Sequence, residues 1–130
     1  NWADHDGTGI VFESSGGFTL PNGATRSPDA AWILLERWNT LTPEQQASFA
    51  PICPDFAIEL RSSSDTLTDV QAKIREYLEN GLQLGWLINP QDQQVEIYRP
   101  SQTAEILDAP TTLSADPILP GFQLNLTDIL

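Results

Sequence analysis

Residues 55–61, Asp-Phe-Ala-Ile-Glu-Leu-Arg, repeat with a period of two. In an extended chain, Phe56, Ile58 and Leu60 point to one side, and Asp55, Ala57, Glu59 and Arg61 point to the other. An alternation of this kind marks a strand with one face in an apolar core, so the chain is committed to a sheet. It also commits Glu59 and Arg61 to the same face of that sheet.

The second strong signal follows directly. A polar loop, Ser62-Ser63-Ser64-Asp65, leads into a segment in which Leu67, Val70, Ile74, Tyr77 and Leu78 recur at i, i+3, i+4 spacing. That spacing predicts an amphipathic helix over about 67–80, with Gly81 as its stop. With Leu67 at zero and about 100° per residue, Lys73 falls at about 240°, beside an apolar stripe running from about 280° to 20°. From that edge its stem can lie along the sheet and carry an ammonium to the acidic face.

Weaker patterns complete the plan. Asp29–Leu35 is an almost unbroken apolar run, as expected of a strand buried on both faces. Gly9–Glu13 and Phe18–Leu20 flank a Ser-Ser-Gly-Gly turn and predict a hairpin. Thr42-Pro43-Glu44 starts a short helix that ends near Phe49. Leu82–Ile88 and Gln94–Arg99 form a second hairpin about Asn89-Pro90-Gln91-Asp92, and Ala104–Leu107 is a further strand. Prolines 110, 117 and 120 break the tail into loops, closed by a short piece at Phe122–Leu126. Strands, helix, then strands predict an α+β domain with a mixed central sheet and a flanking helix.

With 130 residues and 40% apolar side chains, the chain is long enough for one domain, spanning 1–130, and one core. No apolar run approaches the ~18–20 residues that span a bilayer, and no leader opens the chain. A single cysteine, Cys53, excludes a disulfide framework and a cysteine-rich zinc site. The expected compartment is the cytoplasm. There is no Met and the first residue is Asn1, so an N-terminal segment is expected to be missing. Eighteen acidic against six basic residues give a net charge of −12. That mean field repels polyanions and favours cations or protein partners, unless the six cations gather on one face. They are Arg26, Arg37, Arg61, Lys73, Arg75 and Arg99.

Asp55 and Glu59 are about 13 Å apart along their strand, too far for a single cation with ligands at ~2.0–2.5 Å. A second ligand for Glu59 must come from another strand. Asp29, after Pro28 at the mouth of the buried 29–35 segment, is the candidate. If the two strands are neighbours, their side chains approach to within ~5 Å and could hold a divalent metal. Asp55 has a simpler reading as a turn residue after Pro54, and Lys73 a simpler one as an i, i+4 partner of Asp69. Asp4-His5-Asp6 resembles a ligand cluster but sits at a chain start next to Gly7. Cys53 reads as a small buried side chain, and Trp2, Trp32, Trp38 and Trp86 as core or interface anchors, with base stacking open to Trp38.

Four segments taken together resemble one family: Arg26-Ser27-Pro28-Asp29; Pro54-Asp55-Phe56-Ala57-Ile58-Glu59-Leu60-Arg61-Ser62; Lys73 followed four positions later by Tyr77; and Asn80-Gly81 leading to Trp86-Leu87-Ile88-Asn89-Pro90. The chain is similar, from about Gly9 onward, to the family called "putative restriction endonuclease", abundant in cyanobacteria, within the PD-(D/E)XK nuclease superfamily. The resemblance implies a restriction-endonuclease-like fold and a Mg²⁺-dependent endonuclease acting on DNA, with Mn²⁺ as an alternative metal and a homodimer as the working assembly. It places Asp29 at the motif aspartate and Glu59 at the (D/E) position, both as metal ligands. Arg61 stands where the motif has its lysine. An arginine can hold a phosphate but cannot act as a base near neutral pH; the resemblance then implies Lys73 as a relocated catalytic lysine, as in some members of the superfamily. The charge of −12 and the arginine also support a different class of function: a nuclease fold that binds a protein partner and cleaves nothing.

Overall fold

The computed structural model describes residues 9–13 and 17–130. The alternating segment becomes strand β5 (Phe56–Leu60), near the middle of a six-stranded sheet. The other strands are β1 (Gly9–Glu13), β4 (Ala30–Leu34), β6 (Leu84–Asn89), β7 (Gln94–Tyr98) and β8 (Glu105–Asp108), in the order β1-β4-β5-β6-β7-β8. Only β5 and β6 run parallel; every other neighbouring pair is antiparallel. The parallel pair needs a crossover, and helix α3 (Leu67–Glu79) provides it across one face of the sheet.

The helix begins where Thr66 accepts the Asp69 N–H at 3.1 Å. It ends before Gly81, whose φ of +117° suits a residue without a Cβ. Val70, Ile74 and Tyr77 are its buried residues. Beneath it, Gly85 leaves the room that a side chain would fill: a Cβ there would lie 2.9 Å from Ile74 Cγ2. The absent side chain lets α3 sit close against the sheet.

The sheet has a core on each face. On the helix side, Ala31, Ile33, Ala57, Leu87 and Tyr98 pack with the buried residues of α3 and with Phe18 and Leu20. On the other side, Trp32, Phe56, Leu84, Trp86, Ile88, Val95 and Ile97 are covered by Leu113, Ala115, Leu119 and Leu126 of the C-terminal segment. That segment carries a two-stranded ladder, β9 (Thr112–Ser114) with β10 (Gln123–Asn125). Two short helices, α1 (Leu35–Trp38) and α2 (Pro43–Ala47), connect β4 to β5. Helix α2 opens with the expected Thr42 cap, reinforced by Gln45 in a reciprocal capping box. No helix among the described residues is long and apolar enough to cross a membrane.

One expectation about strand pairing is overturned. Gly9–Glu13 does not form a hairpin with Phe18–Leu20. It pairs antiparallel with β4, Phe12 opposite Ala31, while β2 (Phe18–Thr19) pairs with β3 (Thr25–Arg26). A local turn signal cannot report a more distant strand with a longer matching apolar run. The buried run also ends sooner than read, since Leu35 begins α1. The Asp4-His5-Asp6 cluster and Trp2 lie outside the described residues.

Candidate active site

Strands β4 and β5 are antiparallel neighbours, with Ala30 opposite Ile58. One step further, the register carries Asp29 to the position opposite Glu59. Asp29 is exposed, and its Oδ2 accepts the Leu60 N–H at 2.7 Å, which extends the pairing past the end of the ladder. Glu59 is buried, at 5% exposure, on the face under α3. Its Oε2 accepts the Tyr77 hydroxyl proton at 2.7 Å.

Burial is the main reason that the Glu59 carboxyl is pushed up from 4.5 to about 7. The Tyr77 hydrogen bond opposes the rise, the negative charge of Asp29 adds to it, and Lys73 opposes it. Asp29, just before β4, and Lys73 of α3 therefore both act on Glu59 electrostatically. The structure brings two of the other three expected residues, Asp29 and Lys73, to bear on the Glu59 carboxylate.

Lys73 is exposed, and the expected i, i+4 pair with Asp69 is not formed. Arg26, Arg37, Arg61 and Arg99 each make an ion pair, with Glu76, Asp55, Asp92 and Glu105 respectively. Among the described residues the two cations without an ion pair, Lys73 and Arg75, both belong to α3. Lys73 and Arg61 also favour the ionised form of Asp65, whose carboxyl is held below its usual range chiefly by hydrogen bonds from Ser62.

The fourth residue, Arg61, is engaged elsewhere. Its Nη1 donates to Asn89 Oδ1 at 3.2 Å and to Asp92 Oδ2 at 3.4 Å. Its Nε donates to the Asp65 carbonyl at 3.4 Å. The side chain ties the β5–α3 loop to the β6–β7 turn, and Nη2 is the nitrogen left over. Asp55 is a structural tether: Oδ2 accepts the Leu34 N–H at 2.8 Å and Oδ1 pairs with Arg37 Nη1 at 2.9 Å. Cys53 is buried, and desolvation pushes its thiol up to about 12, so it is a packing residue. Trp32 and Trp86 are core residues, whereas Trp38 lines a shallow groove of about 460 Å³ with Phe12 and Phe49. None of the residues around Glu59 lines that groove.

Sequence reasoning placed Tyr77 in an apolar stripe and in one of the segments that resemble the family, but missed the role of its hydroxyl. The usable signal was that a buried tyrosine needs a partner for its O–H. A second buried carboxylate was also missed. Glu96 of β7 lies in the same cross-strand row, beyond Leu87. It accepts from Tyr98 Oη at 2.5 Å and from Gln71 Nε2 at 3.0 and 3.1 Å.

Two carboxylates from different strands suit Mg²⁺ or Mn²⁺, since Mg²⁺ is typically held by one or two protein carboxylates with water and phosphate completing the shell. Among the described residues no group of three or more His, Cys, Asp or Glu side chains is placed to hold a metal. The donor set still fits: a cation beside Asp29 would replace the proton that burial leaves on Glu59.

Comparison with known proteins agrees with the fold. No curated protein matches the chain. A crystal structure described as a "putative nuclease belonging to DUF820", from Anabaena variabilis, superposes with a TM-score of 0.78 at 27% identity, over 97% of this chain and 70% of that one. The shared architecture is the α+β, restriction-endonuclease-like fold. A family model matches residues 1–127, and the chain belongs to that family, Uma2, described as "Putative restriction endonuclease".

Proposed function

We propose that this domain is a divalent-metal-dependent endonuclease that hydrolyses DNA phosphodiester bonds. The observation that carries the reading is the meeting of exposed Asp29 and buried Glu59 on neighbouring strands, with the unpaired Lys73 acting on the same carboxylate from α3. The family and the structural neighbour, each named for nuclease activity, support it.

Asp29 and Glu59 are the residues that would hold the metal, Mg²⁺ or Mn²⁺. When bound, it lowers the pKa of a water and neutralises charge developing on the phosphate. Lys73 orients the attacking water through Nζ and offsets the growing negative charge. Arg61 keeps its phosphate-holding assignment through Nη2 alone, because its other nitrogens brace two loops. A duplex has two strands to cut, so the expected assembly is a homodimer acting in the cytoplasm.

The test is cleavage of supercoiled plasmid with Mg²⁺, with Mn²⁺, and with EDTA. Wild type should cut only with metal, and Asp29→Asn and Glu59→Gln should each lower the rate at least 100-fold while folding normally. Cleavage by either variant at the wild-type rate rejects the assignment. A second reading, a nuclease fold that binds a protein and cleaves nothing, is favoured by the net charge of −12 and by the engagement of Arg61. Absence of both cleavage and Mn²⁺ binding in wild type would reject the first reading and move the assignment to this one.

A further inference from the structure

We propose that Tyr77 is the positioning residue of this site, its hydroxyl holding one oxygen of Glu59 so that the other is presented toward Asp29. The inference rests on the metal-site reading and deepens it. A glutamate has three side-chain torsions and cannot orient its own carboxylate. A tyrosine has two, and Tyr77 is 1% exposed, with its ring inside the helix-side core. Its carbonyl accepts the Leu82 N–H at 2.9 Å and the Asn80 N–H at 3.0 Å, which fixes the end of α3 from which the ring projects. Gly85 sets how closely that helix lies on the sheet.

The fold contains its own comparison. Glu59 and Glu96 are both buried, both on the helix side, and both receive a tyrosine hydroxyl. Gln71 donates to both oxygens of Glu96, so that carboxylate is saturated by side chains of the protein itself. Among the described residues Glu59 has one side-chain donor, Tyr77, and beyond it lie the Asp29 peptide and carboxylate. The Glu96 carboxylate is closed by side chains, whereas that of Glu59 takes from the described residues, besides the Tyr77 hydroxyl, only the Asp29 backbone N–H, and so keeps lone pairs for a cation beside Asp29. Hydrogen-bonded partners of this kind fix the orientation of metal-ligating side chains, and their loss typically weakens metal affinity about 10–100-fold.

Mn²⁺ binding to the full chain, followed by the electron paramagnetic resonance of free Mn²⁺, tests this in wild type, Tyr77→Phe, Glu59→Gln and the double variant. Tyr77→Phe should weaken binding about 10–100-fold. It should have no further effect when Glu59 is already Gln. Wild-type affinity in Tyr77→Phe, or an equal loss in both backgrounds, overturns the positioning role, since a purely structural effect would not depend on Glu59. If Tyr77→Phe does not fold, Tyr77→Met takes its place in the same cycle: a loss that disappears in the Glu59→Gln background supports the role, and unchanged binding overturns it. Absence of Mn²⁺ binding in wild type would end the metal-site reading and this inference with it, whereas binding in wild type with no effect of Tyr77→Phe would end the inference alone.

Discussion

Replacing Glu59 by Gln should stabilise the metal-free protein, and by an amount that depends on pH. The groups facing Glu59 are Asp29, just before β4, and Lys73 and Tyr77 from α3. In the folded chain Glu59 keeps its proton up to about 7, against 4.5 for the ordinary carboxyl. Between those values the unfolded chain binds fewer protons than the folded one, so stability falls as the pH rises, and the full cost is present above about pH 7. At about 1.4 kcal/mol for each factor of ten in proton affinity, the cost approaches about 3 kcal/mol. Gln keeps an acceptor for the Tyr77 hydroxyl and cannot ionise. Urea unfolding in EDTA should therefore show Glu59→Gln more stable than wild type by up to about 3 kcal/mol at pH 8, equivalent to a melting shift on the order of 10 °C, and nearly equal at pH 4.5. Saturating Mn²⁺ should close the gap at pH 8 by stabilising wild type alone, by about 2.7 kcal/mol at a hundredfold excess over Kd. An advantage of the same size at both pH values, or none at pH 8, would refute the claim that burial of an ionisable Glu59 is what destabilises the fold.

Two further outcomes follow from the packing. Gly85→Ala should cost about 1–3 kcal/mol in urea unfolding, because its Cβ would lie 2.9 Å from Ile74 Cγ2; a neutral Gly85→Ala would show that the helix has slack. Cys53 should resist iodoacetamide at pH 8 in the folded protein and react once unfolded, because desolvation holds its thiol near 12; rapid labelling in the folded state would contradict that placement.

The parts of the site that were legible in the sequence are those set by local periodicity. The alternation across 55–61 put Glu59 on the side away from Phe56 and Ile58, where α3 now covers it, and the stripe angle put Lys73 at the helix edge. The adjacency of β4 and β5 was an assumption that the register satisfies. Illegible were the relations that no period encodes. Pairing of β1 with β4 joins segments about twenty residues apart, and the intervening turn signal pointed to a nearer strand. The destination of the Tyr77 hydroxyl depends on how closely a helix lies on a sheet, which Gly85 controls from a strand that reads as plain apolar. Arg61 was assigned by its place in a motif, yet its partners Asn89 and Asp92 come from a turn about thirty residues later.

The C-terminal segment closes one whole side of the central sheet, and α3 bridges the middle of the other. Beside buried Glu59 the exposed residues are Asp29 and Leu60, at the edge where the pairing of β4 and β5 ends. A long polymer can graze such an edge over one or two monomers while the rest of it remains in solvent. Under the proposed endonuclease reading, that shape would keep most of an anionic strand away from the surface of a protein carrying a charge of −12.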